Sequence, residues 1–186
     1  DYRFGLYTNR SVAWDDLAYA NPYYLMVKSA GNDRGDRDPS ETFPPADGPY
    51  DIIGPVGVAK NILTVGAVNK ITGDINDPSN ISMTSFSSWG PTDDGRIKPD
   101  LVGIGRSLLS VSSSSTSSYS ILSGTSMSAP NVTGGLALLQ EFAMYKRNDY
   151  LKSATLKGLA IHAVTPTGGD YGPDYSYGWG LFNAEK

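Results

Sequence analysis

Ile62-Leu63-Thr64-Val65-Gly66-Ala67-Val68 puts apolar side chains at both odd and even positions. Successive residues of a strand face opposite sides of a sheet, so a strand apolar at both parities must be covered on both faces. That coverage is the habit of parallel sheets with helices packed against them, and it sets the expectation for the rest of the chain. The run Tyr24-Leu25-Met26-Val27 is a second such strand, leading through Lys28 and Ser29 into Ala30-Gly31-Asn32-Asp33-Arg34-Gly35, a loop of turn residues. Lys98-Pro99-Asp100-Leu101-Val102-Gly103 and Ser107-Leu108-Leu109-Ser110-Val111 are shorter candidates, the proline holding the first to an edge or a strand start.

Helical signals separate these strands. Residues 11–20 open on Ser11, an N-cap type residue, carry Asp15 and Asp16 early, and stop at Asn21-Pro22. From Met127, Ala129, Val132, Leu136, Leu139 and Phe142 fall on one broad face, and Gly134, Gly135 and Ala137 keep the remainder narrow, as in a buried, closely packed helix. Residues 151–164 form a further helix, ending before Pro166 and Gly168-Gly169. Residues 33–57 and 74–95 lack a sustained period, and residues 112–118, six serines in seven positions, read as a flexible surface loop. The expectation is one α/β domain with a mostly parallel sheet flanked by helices.

Composition narrows the chemistry. The 186 residues carry a net charge of −4 with lysines and arginines scattered singly, which provides no basic stripe for nucleic acid. No run reaches the roughly 18 apolar residues of a membrane span. With no cysteine, thiol nucleophiles and cysteine metal sites are excluded, and a histidine base within the chain has to be His162.

Ser123-Gly124-Thr125-Ser126-Met127-Ser128-Ala129-Pro130 carries the chemistry. A glycine turn delivers Ser126 to the first turn of a buried helix, where unpaired amides and the helix dipole favour a developing alkoxide or a tetrahedral oxyanion. Gly124 allows a substrate backbone to come close, and Pro130 is placed early, where its missing N–H loses no partner. Taken alone, a serine at a helix start is as readily an N-cap.

The segment from Gly124 to Pro130 resembles the nucleophile motif of the subtilisin-like serine proteases, the subtilases (peptidase S8 family). Ser29-Ala30-Gly31-Asn32, the strand at 62–68, Phe86-Ser87-Ser88-Trp89-Gly90-Pro91, Asp94-Gly95-Arg96-Ile97-Lys98-Pro99-Asp100, and Gly172-Pro173-Asp174 with Tyr177-Gly178-Trp179-Gly180-Leu181 resemble further family segments, in order. The resemblance implies a subtilisin-like fold and a secreted or extracytoplasmic serine endopeptidase acting on peptide or protein substrates, with no cofactor required for the chemistry. Ser126 would be the nucleophile and Asn32 the side-chain oxyanion donor. Ser29, Ala30 and Gly31 would line the pocket for the residue before the scissile bond, and Gly124 and Thr125 would border the substrate. Asp33 would stand near that pocket or simply be an exposed loop carboxylate.

The pattern departs from the family upstream. No Asp is followed by Ser-Gly or Thr-Gly, no His by Gly-Thr, and His162 lies after Ser126, in a context resembling a late helix of the family without a catalytic role. The chain is therefore expected to be the C-terminal portion (1–186) of a subtilase catalytic domain, inactive alone, whose N-terminal part supplies the triad Asp and His. Two other readings stand beside it: a non-catalytic subtilase-like binding or structural module, and a self-sufficient hydrolase using His162. A partial sheet would expose its edge strand at residues 24–29 to self-association. Structural calcium is a further expectation of the family. Asp33, Asp36, Asp38, Asp47, Asp51, Asp74 and Asp77 lie in loops but match no EF-hand spacing, and metal ligands stay unassigned.

Overall fold

The strand apolar on both faces, β2 (Leu63–Val68), has all six residues buried. It pairs in parallel with β1 (Val27–Ser29) on one side and with β3 (Leu101–Ile104) on the other. A computed structural model describes residues 3–35, 49–168 and 172–186. The remaining elements are α1 (Asn9–Ala20), a 3-10 turn (Pro78–Asn80), β4 (Leu108–Val111), β5 (Tyr119–Leu122), α2 (Thr125–Arg147), α3 (Ser153–His162), β6 (Val164–Thr165) and β7 (Leu181–Phe182). The main sheet runs β1-β2-β3-β7-β6, with parallel pairing as far as β7 and an antiparallel β6–β7 pair closing it. The domain is thus α/β with a mostly parallel sheet, and β1 is an edge strand. No helix among the described residues is long and apolar enough to cross a membrane.

The parity of β2 divides the core in two. Leu63 and Val65 join Leu101 beneath Ala129, Val132 and Leu136 of α2 and Leu156 and Ala160 of α3. On the opposite face Val68 meets Ile81, Val102 and Leu181, covered by Met83 and Tyr177. Each fully buried Leu or Val contributes about 1.5–3 kcal/mol relative to remaining in water, so this strand is the hub of the fold. Beside it lies a buried charge cluster. Asp100 accepts from the Thr64 amide at 2.6 Å and pairs with Lys98 Nζ at 2.6 Å and Lys157 Nζ at 3.0 Å.

Several local expectations are corrected. The first helix begins two residues early because Thr8, not Ser11, is the N-cap, and Ser11 is its partner in a capping box. Pro130 lies inside α2, the sixth residue of that helix, so the Ser126 carbonyl does lose its i+4 amide. Phe142 is exposed at 59% because the buried face runs Ala129, Val132, Leu136 and Ala143, a narrower stripe than expected. The serine-rich segment is the tip of an antiparallel β4–β5 hairpin, laced by its own hydroxyls, with Ser118 Oγ donating to Ser112 O at 3.1 Å. The third helix is shorter than residues 151–164 because Val164 belongs to β6.

Candidate active site

The site forms where the C-terminal end of β1 meets the N-terminus of α2. Beyond β1 the chain turns at Gly31, whose φ of 119° suits glycine. A Cβ there would stand 2.7 Å from both Asp33 Oδ2 and Ser88 Oγ. Ser88 clamps this turn: its amide donates to Gly31 O at 3.0 Å and its hydroxyl accepts from the Asp33 amide at 3.0 Å. Arg34 continues the clamp by placing its guanidinium 4.5 Å from the centre of the Trp89 ring, where burial pushes its pKa down. Ser88 and Trp89 were carried in the sequence only as members of a family segment, and their supporting role is a long-range contact that no local pattern announces.

Opposite this turn, Gly124 caps α2 with φ 153° and donates its amide to Gly105 O at 2.8 Å. The helix lies tight against the sheet. Ser128 Oγ donates to Gly66 O at 2.6 Å, and a Cβ on Gly103 would come within 2.7 Å of Val132 Cγ2. Thr125 is buried at 1% exposure while Ser126, one residue on, is exposed. A buried anchor beside an exposed serine is what the pitch of a first helical turn on a sheet produces.

Thr125 joins the two halves. Its amide and its hydroxyl both donate to Asn32 Oδ1, at 2.9 and 3.0 Å, and its hydroxyl accepts from the Gly31 amide at 3.3 Å. With both donors on Oδ1, the Asn32 amide has one orientation, and Nδ2 is turned away from Thr125. A Cβ on Gly124 would stand 3.5 Å from Asn32 Nδ2 and 3.7 Å from Ser126 N. Two N–H donors, one of them a first-turn amide with no helical partner, therefore flank the same small space. Such a pair can stabilise an oxyanion at low reorganisation cost.

Ser29, Ala30 and Gly31 form the strand end leading into this space, with Ala30 buried against Ile53 and Val58. Asp33 is half-buried, and Lys28, one residue before Ser29, donates to Ser29 O and Oγ at 3.0 Å each. His162 is elsewhere. It lines a cavity of about 250 Å³ with Phe142, Lys146 and Arg147 of α2. From Ser126 to Phe142 there are sixteen residues of helix, roughly 24 Å. Proton exchange between Ser126 and His162 within one chain has no geometric basis.

Two of the described loop carboxylates are engaged in their own turns. Asp74 Oδ1 accepts from the Asn76 amide and Asp77 Oδ1 from the Ser79 amide, so each closes its own turn. Among the described residues no three carboxylate or imidazole groups converge as metal ligands. Asp36, Asp38 and Asp47 lie outside the described residues.

A mostly parallel sheet covered on both faces, with an exposed serine at the N-terminus of a helix packed on it, defines an α/β protein. Residues 6–180 match the subtilase family (peptidase S8), and the chain belongs to that family. It is 51% identical over 79 residues to a C5a peptidase of Streptococcus pyogenes, covering 42% of this chain and 6% of that protein. It is 31% identical over 157 residues to pyrolysin of Pyrococcus furiosus, covering 73% of this chain and 11% of the relative. The CspB protease of Clostridium perfringens superposes with a TM-score of 0.62 at 29% identity, over 74% of this chain and 27% of that structure. The chain thus spans a small fraction of the C5a peptidases it matches.

Proposed function

We propose that this chain carries the nucleophile and the oxyanion-stabilising half of a serine endopeptidase site. The observation that supports the reading is the convergence of Asn32 Nδ2 and Ser126 N on one small space beside Gly124, with Asn32 locked by Thr125. In this reading Ser126 Oγ attacks the peptide carbonyl and passes its proton to a base. The carbonyl oxygen, now an alkoxide, accepts hydrogen bonds from Asn32 Nδ2 and Ser126 N. Collapse of the tetrahedral species expels the amine, which takes the proton from the base, and leaves the acyl group on Ser126. Water then attacks the acyl-enzyme by the same route in reverse.

The base and its orienting acid come, in this proposal, from residues outside these 186, because His162 is remote from Ser126. Ser29, Ala30 and Gly31 border the residue before the scissile bond, while Gly124 and Thr125 bound the space in which the carbonyl sits. A fluorophosphonate probe tests the assignment. Labelling of Ser126, located by mass spectrometry, is expected when this chain is combined with the upstream segment of its polypeptide, and Ser126→Ala abolishes it. No labelling of the combined protein overturns the proposal and leaves the reading as a non-catalytic binding module.

A further inference from the structure

The cavity that holds His162 is apolar in its walls and cationic at its rim. Leu139 and Phe142 of α2, Leu151, and Leu159 of α3 form the walls around about 250 Å³. Lys146 and Arg147 from the last turn of α2, His162 from the end of α3, and Lys186 surround them. Among the described residues no aspartate or glutamate lines this cavity, although the chain as a whole carries a net charge of −4. Glu185, next to Lys186 in sequence, lines a different cavity, with Ile75 and Ile104. No carboxylate among the described residues forms an ion pair with Lys146, Arg147 or Lys186.

Helix ends account for only part of this charge. The C-terminal ends of α2 and α3 both reach the cavity, and each carries the equivalent of roughly half a negative charge. Both ends are also closed by backbone. The Asn148 amide donates to Met144 O at 2.9 Å and the Ala163 amide to Leu159 O at 2.8 Å. Lys146 Nζ stands 5.6 Å from the centre of the Phe142 ring, and Lys186 Nζ donates to Val164 O at 3.3 Å, so both ammonium groups are held close to the apolar walls. Two helix ends offset about one cation, which leaves a surplus of about two positive charges from Lys146, Arg147 and Lys186 before His162 is counted. Size sets the apolar part of a ligand. A dry cavity of roughly 150 Å³ lined by Leu, Ile and Phe holds a benzene ring, so 250 Å³ admits one ring with a short linker to an anion. A planar carboxylate matches the guanidinium fork of Arg147.

We propose that the cavity between the C-terminal ends of α2 and α3 binds an aromatic carboxylate, its ring among Leu139, Phe142, Leu151 and Leu159 and its anion on Arg147 and Lys146. A free arylalkanoic acid and the C-terminal aromatic residue of a peptide share this chemistry. The site lies at the opposite end of α2 from Ser126 and does not depend on the role proposed for that serine.

Calorimetric titration of the full polypeptide that contains this chain tests the site without any catalytic step. 3-Phenylpropionate is expected to bind about tenfold more tightly than 3-phenylpropanamide, which has the same ring and no charge. It should also bind about tenfold more tightly than acetate, which has the charge and no ring. Lys146→Gln with Arg147→Gln, both at exposed positions, should bring the acid down to the affinity of the amide. Lys70→Gln with Arg106→Gln removes the same charge from exposed positions that do not line the cavity, and leaves the preference intact. Leu159→Ser should weaken acid and amide alike. A Gly-Gly-Phe peptide with a free carboxylate that displaces the acid identifies a peptide C-terminus as a source, and failure to displace it identifies the small acid. Equal affinities for acid and amide, equal affinities for acid and acetate, a preference that survives the paired substitution of Lys146 and Arg147, or no binding of any probe would each overturn the proposal. The comparisons among acid, amide and acetate use the unaltered protein, so they decide the matter even where a variant fails to fold.

Discussion

At the scale of single residues, Thr125 is the hinge of the site, although it need not touch substrate. Its two donors fix Asn32, so, on the proposed peptidase reading, Thr125→Val is expected to lower kcat/KM of the full polypeptide about tenfold through loss of one of them, with Thr125→Ser restoring it. Asn32→Ala should lower kcat by roughly 10²–10³ with little change in KM. That magnitude is the one known for loss of an oxyanion donor in subtilisin, a member of the same family, and is borrowed from it. The buried charges at the sheet obey a different logic. Burial pushes the Lys98 ammonium from 10.5 down to about 8, and the Asp100 carboxylate opposes the fall. Between those values the unfolded chain holds a proton that the folded chain has lost. This group therefore makes stability rise with pH from about 8 to 10.5 and costs most below 8. Urea denaturation across that window should show the rise, and Lys98→Met should flatten it. Asp100→Asn leaves the buried Lys98 ammonium and the partly buried Lys157 without their anion and is expected to cost about 3–5 kcal/mol.

At the scale of elements, close approach positions the site. α2 can reach β3 because Gly103 has no side chain, and Val132 and Ser128 occupy the space a Cβ would need. Gly103→Ala should cost about 1–3 kcal/mol by overpacking, with slower Ser126 labelling as the helix N-terminus lifts. α1 is tied down by the Ser11 hydroxyl, which donates to Pro55 O at 2.6 Å, by the packing of Ala18 against Met26, Ala59 and Ile62, and by the Asp15 carboxylate. Burial pushes the Asp15 pKa up, but the Lys60 amide, the Tyr7 hydroxyl and the Asn61 amide more than offset it, and the net shift is downward. A carboxylate depressed in the fold stabilises above its unfolded value and loses that contribution as pH falls through the folded one. Hydrogen exchange at the Lys60 and Asn61 amides is expected to accelerate on Asp15→Ala. The existence of α1, α2, β2 and β3 was legible in residue periodicity. β5, β6 and β7 were not, because Tyr119–Leu122 carries a weak alternation and the last two are two-residue strands made by pairing alone.

At the scale of the whole molecule, the sheet ends on β1 among the described residues. The Ala30 amide donates to Val65 O and the Leu63 amide to Met26 O, so the backbone groups of Val27 and Ser29 point to the open edge. Lys28 bends over part of it, donating to Ser29 O. Sedimentation velocity should detect concentration-dependent association through this edge, and Val27→Pro, which removes an outward amide, should suppress it without altering the far-UV spectrum. An unchanged profile would locate association elsewhere. The sequence by itself determined the doubly buried strand, the parallel α/β class, the absence of thiol chemistry and the placing of Ser126 at a helix start, since each is written in local periodicity or residue type. Only the tertiary structure decided that Asn32 and Ser126 face one space, that Thr125 and Ser88 hold them there, and that His162 sits at the far end of α2. Those are contacts between residues as many as 94 positions apart, and their geometry depends on how closely a helix can lie on a sheet.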